Sequence, residues 1–321
     1  MFKWGFVGSA GIAVTVGKQV IKNKDFEIGA VYSRDYKHCE RFAKRFNAKP
    51  YKSYEEMLLD ESIDAIYVAT PHAFHYQYAK KALEKGIPVI CEKTLVLNYE
   101  SAVELFEIAE RNNTYFVEAM WTWFNKTANQ VKDWVDQGFI GKPTTMRADF
   151  TVPTLYFGRK ERLFNPKSGG GSIYDLGVYP ITYAYRLFGY PNRIKVTAKI
   201  KNGVDIKSKI VFEYDNGPTC ILTCGFQKIG GCNVKITGES GLISVPPAFH
   251  EARKATLKGT KKITFKDKED IALYEREFVK ASEEIKAGLI TSNYVTKQAT
   301  LDVLKILEEI KSQIGLKYPN D

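Results

Sequence analysis

Long apolar runs are missing from this sequence: none approaches the ~18 residues that a membrane-spanning helix requires. The first residues, Met1-Phe2-Lys3-Trp4-Gly5-Phe6, run straight into a strand pattern with no small-residue cleavage site. A cytoplasmic location and no membrane partner are therefore expected. Cysteine is scarce and unpatterned. Cys39, Cys91, Cys220, Cys224 and Cys232 make an odd count with no CxxC pair and no histidine at ligand spacing. Reduced, mostly buried thiols are therefore expected in preference to a metal or redox role. Internal repeats and low-complexity segments are also lacking, which excludes solenoids and disordered tails.

What is present suits an enzyme-sized globular protein. The 321 residues exceed the size at which one core usually suffices, so two domains are expected. The composition is 44% hydrophobic, 26% charged and 13% aromatic, within the ordinary globular range. The formal net charge of +10 would suit an anionic partner. Much of that charge is local, however: Arg253, Lys254, Lys258, Lys261, Lys262, Lys266 and Lys268 crowd one strand-like stretch. Lysines there guard a sheet edge more often than they bind nucleic acid, so no nucleic-acid partner is expected.

The stretch Val89 to Thr94 organises the rest. A buried-looking strand ends there and places Glu92 and Lys93 at the carboxyl edge of a parallel sheet, where ligands of open α/β folds bind. Upstream, strand Lys3–Val7 leads through Gly8-Ser9-Ala10-Gly11-Ile12-Ala13 into a helix reaching about Asn23. The turn nearly fits a dinucleotide fingerprint, in which glycines let backbone amides approach a pyrophosphate at the helix start. Ala10 stands where the second glycine belongs, and Gly11 comes one place late. A second strand, Phe26–Tyr32, ends at Ser33, Arg34 and Asp35. An acid here takes a ribose 2′-hydroxyl, whereas an arginine takes a 2′-phosphate, so Ser33 and Arg34 favour NADP(H) while NAD(H) stays open. Asp35 is either the next helix cap or a ribose ligand.

Further strands follow near Pro50 and Tyr51 and over 63–70, 87–91 and 115–120, alternating with helices that include one beginning at Ser53 and one over 99–112. This rhythm predicts a doubly wound sheet. Thr70, Pro71, His72 and His75 stand at the end of the fourth strand, where the histidines either touch cofactor or substrate or simply open a helix. Beyond residue 120 the pattern changes. A helix over 125–137, a strand over 143–152, the loop Ser168-Gly169-Gly170-Gly171 and a helix over 172–188 precede a run of strands with turns at Asn202-Gly203, Asp215-Asn216-Gly217 and Gly230-Gly231. That series reads as an antiparallel sheet. Two helices, about 271–287 and 295–314, close the chain.

The helix after the glycines carries the second piece of chemistry. Asp175 and Tyr179 are four residues apart and share a face. Interconverting an alcohol and a carbonyl with a nicotinamide needs a proton donor or acceptor at the reacting oxygen. Tyrosine serves when an ammonium stabilises its phenolate, and Lys93 is the candidate. Bland readings stand beside this one. Ser172-Ile173-Tyr174-Asp175 has capping-box spacing, and Tyr179 alone would pass for a core aromatic.

These residues resemble the glucose-fructose oxidoreductase, inositol dehydrogenase and MocA family of NAD(P)-dependent oxidoreductases. The resemblance runs along essentially the whole chain, through Gly5-Phe6-Val7-Gly8, Ala69-Thr70-Pro71-His72, Glu92-Lys93 and Gly169-Gly170-Gly171 leading to Asp175-Leu176-Gly177-Val178-Tyr179. Glu118-Ala119-Met120-Trp121-Thr122 is similar to the branch of dimeric dihydrodiol dehydrogenases and NADP-dependent D-xylose dehydrogenases. The fold class implied is α/β: a Rossmann domain over 1–121, then an α+β domain over 122–321 with a large, mostly antiparallel open sheet. The terminal helix is free to pack back on the first domain, and copies would associate as a homodimer or higher oligomer through the sheet. The resemblance implies that Lys93, Asp175 and Tyr179 are catalytic and that Glu92 lies near the nicotinamide. It implies a sugar, polyol or cyclic vicinal diol as substrate, against the alternative of a non-catalytic dinucleotide sensor.

Two departures from the family pattern matter. Thr94 follows Lys93 where the family usually has proline, often cis, so a trans peptide is expected here. Trp123 stands where the diol dehydrogenases tend to have arginine. If the sixth strand continued, Trp121 and Trp123 would face one side and join Arg147, Phe150, Tyr156, Phe157 and Arg159 in an aromatic, cationic substrate wall. Of these, Trp121, Arg147 and Tyr156 are the named substrate candidates.

Overall fold

The structure, a computed structural model, describes residues 1–153, 160–227 and 230–319. Tyr156, Phe157 and Arg159 lie outside the described residues. The chain divides into two compact units, one of Met1–Trp121 with Asp270–Leu301, the other of Thr122–Glu269 with Asp302–Asp321.

The first unit is built on β1 (Phe2–Val7), β2 (Phe26–Tyr32), β3 (Lys49–Tyr51), β4 (Ala65–Val68), β5 (Val89–Glu92) and β6 (Phe116–Ala119). They pair in parallel in the order β3-β2-β1-β4-β5-β6. This is the doubly wound order, with the crossovers turning outward on either side of the β1/β4 pair and opening a crevice at the carboxyl ends. Strands β4, β5 and β6 are buried at every position, as strands covered on both faces must be. The connecting helices are α1 (Gly11–Val20), α2 (Tyr36–Phe46), α3 (Tyr54–Met57), α4 (His75–Glu84) and α5 (Tyr99–Arg111). Asp35, Ser53 and Asn98 cap α2, α3 and α5 by accepting from the amides of His38, Glu56 and Ser101. The helix near 271–287 belongs to this unit. Phe278 from it is fully buried, its ring centroid 4.6 Å from that of Trp4 and 5.1 Å from that of Tyr67. Burial of one such side chain contributes roughly 1.5–3 kcal/mol.

The second unit opens with α6 (Lys126–Asp136), β7 (Pro143–Thr151) and the single turn α7 (Lys160–Leu163). After the glycine loop, a π-helical turn over Ile173–Gly177 runs into α8 (Val178–Phe188). Strands β8 (Arg193–Lys201), β9 (Val204–Glu213), β10 (Thr219–Gly225), β11 (Val234–Gly238), β12 (Leu242–Val245), β13 (Lys254–Lys258) and β14 (Lys262–Lys266) complete an eight-stranded sheet. Its order is β14-β13-β12-β11-β7-β10-β9-β8, antiparallel throughout except for β10 against β7. One face is apolar and covered, with Met146, Ala148 and Phe150 of β7 beside Cys220, Leu222 and Cys224 of β10. The other carries exposed Arg147, Lys207, Lys209 and Lys235. The chain closes with α9 (Leu273–Lys286) in the first unit and α10 (Lys297–Gln313), which begins in the first unit and ends in the second.

Two expectations fail here. The sixth strand does not continue through the tryptophans: β6 ends at Ala119, and Trp121–Phe124 is a 3-10 turn, so alternation cannot place Trp121 and Trp123 on one side. Nor is the 172–188 segment one regular helix opened by a capping box. Ser172 adopts helical φ/ψ of −76° and −26° rather than the extended conformation of a cap, and its hydroxyl is taken by Asp205.

Candidate active site

The turn between β1 and α1 depends on Gly8. Its φ is +104°, and a Cβ there would sit 2.5 Å from the carbonyl oxygen of Ala69 at the end of β4. Only glycine brings the two strand ends this close. Ala10 precedes α1 with an extended backbone and no side-chain oxygen to cap it, so the first amides of the helix remain available to an anion. Gly8, Ser9 and Ala10 line a cleft of about 660 Å³ with Tyr32, Ser33, Arg34, Asp35, His38, Thr70, Pro71 and Tyr78. The Arg34 guanidinium lies 4.2 Å from the ring centroid of Phe74, which seats the charge at the cleft by a cation–π contact. Asp35 is engaged as the cap of α2, and the His38 amide holds its carboxyl below the usual range.

Of the expected cofactor residues, this cleft gathers Gly8, Ser9, Ala10, Ser33, Arg34, Thr70 and Pro71. Gly11 and Ile12 start α1 behind it. His72 and His75 are buried, and the His75 ring nitrogens lie 2.8–3.1 Å from the carbonyl oxygens of Thr70, Thr94 and Leu95. His75 thus ties the end of β4 to the segment after β5.

At the end of β5, Glu92 is buried and accepts the Tyr67 hydroxyl at 2.5 Å. The Lys93–Thr94 peptide is cis, which corrects the expectation of a trans bond. The general preference for trans is a local one, and here the segment is fixed by its surroundings: Thr94 is fully buried, and the next amide, Leu95 N–H, donates to Glu118 Oε1 at 3.0 Å. Thr300 donates to the other Glu118 oxygen at 3.1 Å. Burial pushes the Glu118 carboxyl up to about 7, with those two donors and Lys93 working against the rise. A third buried acid, Glu277 of α9, has neither oxygen hydrogen-bonded among the described residues. Burial first, and then the charge of Glu92, raise it well above the usual carboxylate range.

In the second unit Asp205 anchors the turn that carries Asp175 and leads into the helix of Tyr179. It is fully buried and accepts from Ser172 Oγ at 2.5 Å, Ser208 Oγ at 3.0 Å and Ile173 N at 3.0 Å. Asp175 is paired with Arg162, Nη2 to Oδ1 2.7 Å. Tyr179 packs beside Phe150 and His250, with ring centroids 5.3 and 5.6 Å away, and His250 stacks on Phe150 at 4.3 Å. Arg147 projects from the opposite, exposed face of β7. Trp121 is buried in the first unit, 4.8 Å from the ring of Tyr274.

A glycine turn at a β1/β4 switch point, with a basic residue after β2, is the arrangement of a nicotinamide dinucleotide site. Family models agree: that of the oxidoreductase family with an NAD-binding Rossmann fold matches residues 2–119, and the GFO/IDH/MocA C-terminal domain matches residues 128–244. The chain belongs to the GFO/IDH/MocA oxidoreductase family. Among its relatives, scyllo-inositol 2-dehydrogenase (NADP(+)) of Bacillus subtilis (strain 168) is 28% identical, covering 100% of this chain and 99% of its own. Trans-1,2-dihydrobenzene-1,2-diol dehydrogenase of Xenopus tropicalis is 27% identical over 99% of both. The fold is shared with a 3-ketoreductase from Actinomadura kijaniata solved with NADP and TDP-benzene, at 21% identity, 98% coverage of each chain and a TM-score of 0.87.

Within this GFO/IDH/MocA member, several participants were not singled out from the sequence: Tyr32, His38, Phe74 and Tyr78 around the cleft, and Arg162, Asp205 and His250 in the second unit. Phe74 was the most accessible of these, since it falls in the Thr70-to-His75 stretch already marked. Asp205 and His250 carry little local signal, because Ser172 and Ile173, the partners Asp205 holds in the turn, and Tyr179, the ring beside His250, stand far away in sequence.

Proposed function

We propose that this protein is an NADP(H)-dependent oxidoreductase that interconverts a hydroxyl and a carbonyl on a sugar, polyol or cyclic vicinal diol. The cleft in the first unit carries the reading. Gly8, Ser9, Ala10 and the start of α1 would hold the pyrophosphate, and Ser33 with Arg34 the 2′-phosphate. Asp35 is already committed to capping α2, which leaves Arg34 to set the preference. Bound nicotinamide would accept or supply the hydride. The names of the inositol and dihydrodiol dehydrogenases support the substrate class.

The chain's own residues manage the proton. In the oxidation direction Tyr179, as phenolate, takes the proton of the substrate hydroxyl while the hydride leaves carbon; in reduction the phenol returns it. A free tyrosine titrates near ~10, so this role requires an ammonium within about 4–6 Å to favour the phenolate, and Lys93 is assigned to it. Glu118 fixes the segment that follows Lys93. A panel of aldoses, cyclitols and cyclic diols assayed with NADP tests the reading. Turnover of at least one, abolished in Tyr179→Phe, is the expected result, and a blank panel would contradict it.

A further inference from the structure

The triple glycine has a structural purpose that points to a residue outside the catalytic set. Gly170 N donates to Asn165 O at 3.1 Å and Gly171 N to Leu163 O at 2.9 Å, so the loop folds back on the α7 turn. A Cβ on Gly170 would lie 2.6 Å from the carbonyl oxygen of Leu163 and 2.7 Å from that of Arg162. No side chain fits there without moving backbone. Tyr318 clamps the loop from the other side, its hydroxyl donating to Gly170 O at 2.6 Å. Across the loop, Asp175 N reaches Gly171 O at 3.3 Å. The glycines thereby bring Arg162 onto Asp175. The pair is half-buried, with side-chain exposures of 27% and 18%, and the guanidinium of Arg162 makes no other ion pair or hydrogen bond among the described residues.

We propose that Arg162 is the positioning residue of Asp175, holding it as a fixed carboxylate so that Asp175 orients the substrate hydroxyl and Tyr179 alone exchanges the proton. The inference rests on the reading of Asp175 and Tyr179 given above. Its physics is simple. Guanidinium stays charged at every accessible pH, and a carboxylate in contact with it resists protonation. A relay through Asp175 would have to place a proton on the group that Arg162 keeps bare. A lysine would preserve charge but lose the rigid planar fork.

The test uses the full chain with Arg162→Ala, Arg162→Lys and Asp175→Asn. Carboxyl titration by 13C NMR, with Asp175→Asn identifying the signal, needs no substrate. The Asp175 midpoint should rise by about one to three pKa units in Arg162→Ala, and equal midpoints in the two proteins overturn the proposal. In turnover, Arg162→Ala should lose roughly tenfold or more in kcat/KM and gain an acid limb in its pH profile. Added guanidinium chloride, but not sodium chloride of equal ionic strength, should restore part of the loss. Should Arg162→Ala not fold, Arg162→Lys carries the same comparison, with a smaller rise in the midpoint. Tyr179→Phe runs alongside. If it keeps turnover, the proton assignment fails and this proposal with it; if it is inactive while Arg162→Ala titrates and turns over like the parent, the Arg162 assignment fails alone.

Discussion

Two residues of the first unit, Arg34 and Glu118, each support a prediction. Arg34 closes one end of the cleft, seated on Phe74. An arginine–phosphate contact is a charge-assisted, often bidentate one, worth about 1.5–3 kcal/mol. Arg34→Ala should therefore weaken NADPH roughly ten- to a hundredfold and NADH only slightly, as followed by fluorescence titration. Equal losses would remove the 2′-phosphate assignment. Glu118 predicts a pH dependence. Its folded value of about 7 stands above its ordinary 4.5, so between those values the native state holds a proton that the unfolded chain has released. Stability must then fall as pH rises through this window and level off above it, by about 3 kcal/mol in all. Glutamine cannot ionise. Thermal unfolding of Glu118→Gln across pH 5 to 8 should lack that decline, and a parallel decline in both proteins would rule the assignment out. Residues of this kind were unevenly legible. Ser33 and Arg34 follow a strand whose alternation is visible, so position alone marked them. Glu118 was visible only as part of a resemblance, and Glu277 not at all, because burial of a carboxylate is a property of three-dimensional neighbours.

At the scale of elements, the turn over Ile173–Gly177 hangs on Asp205. This carboxylate, contributed by β9, accepts from the Ser172 hydroxyl and Ile173 amide of the turn and from the Ser208 hydroxyl of its own strand, all buried. Asp205→Ala leaves those donors buried without an acceptor, a loss of about 3 kcal/mol or more. Denaturant unfolding should show it, and a variant as stable as the parent would mean the turn is held by something else. The elements themselves were largely readable, since periodicity, caps and turn residues are local. Strand ends were overextended: 63–70 was expected where β4 is Ala65–Val68, because an apolar run outlasts the pairing that defines a strand. The π-helical register, the 3-10 turn after β6 and the cis Lys93–Thr94 peptide were missed. The first and last of these are held by contacts from other segments, Asp205 on Ser172 and Glu118 on Leu95, that no local pattern announces.

For the molecule as a whole, the order β3-β2-β1-β4-β5-β6 and the large mixed sheet agree with the fold class read from alternation and turns. Composition and rhythm are whole-chain properties and survive without knowledge of contacts. The proposed catalytic set is a different matter. Lys93 belongs to the first unit and Asp175 and Tyr179 to the second, so their partnership is the claim on which the functional reading turns. The most direct test compares the parent with Tyr179→Phe, measuring kcat on the best compound of the panel and NADPH affinity by titration in the same preparations. Loss of kcat by at least about a hundredfold, the scale of general acid–base catalysis, with NADPH binding unchanged, is the predicted result. Turnover by Tyr179→Phe at the parental rate would contradict it.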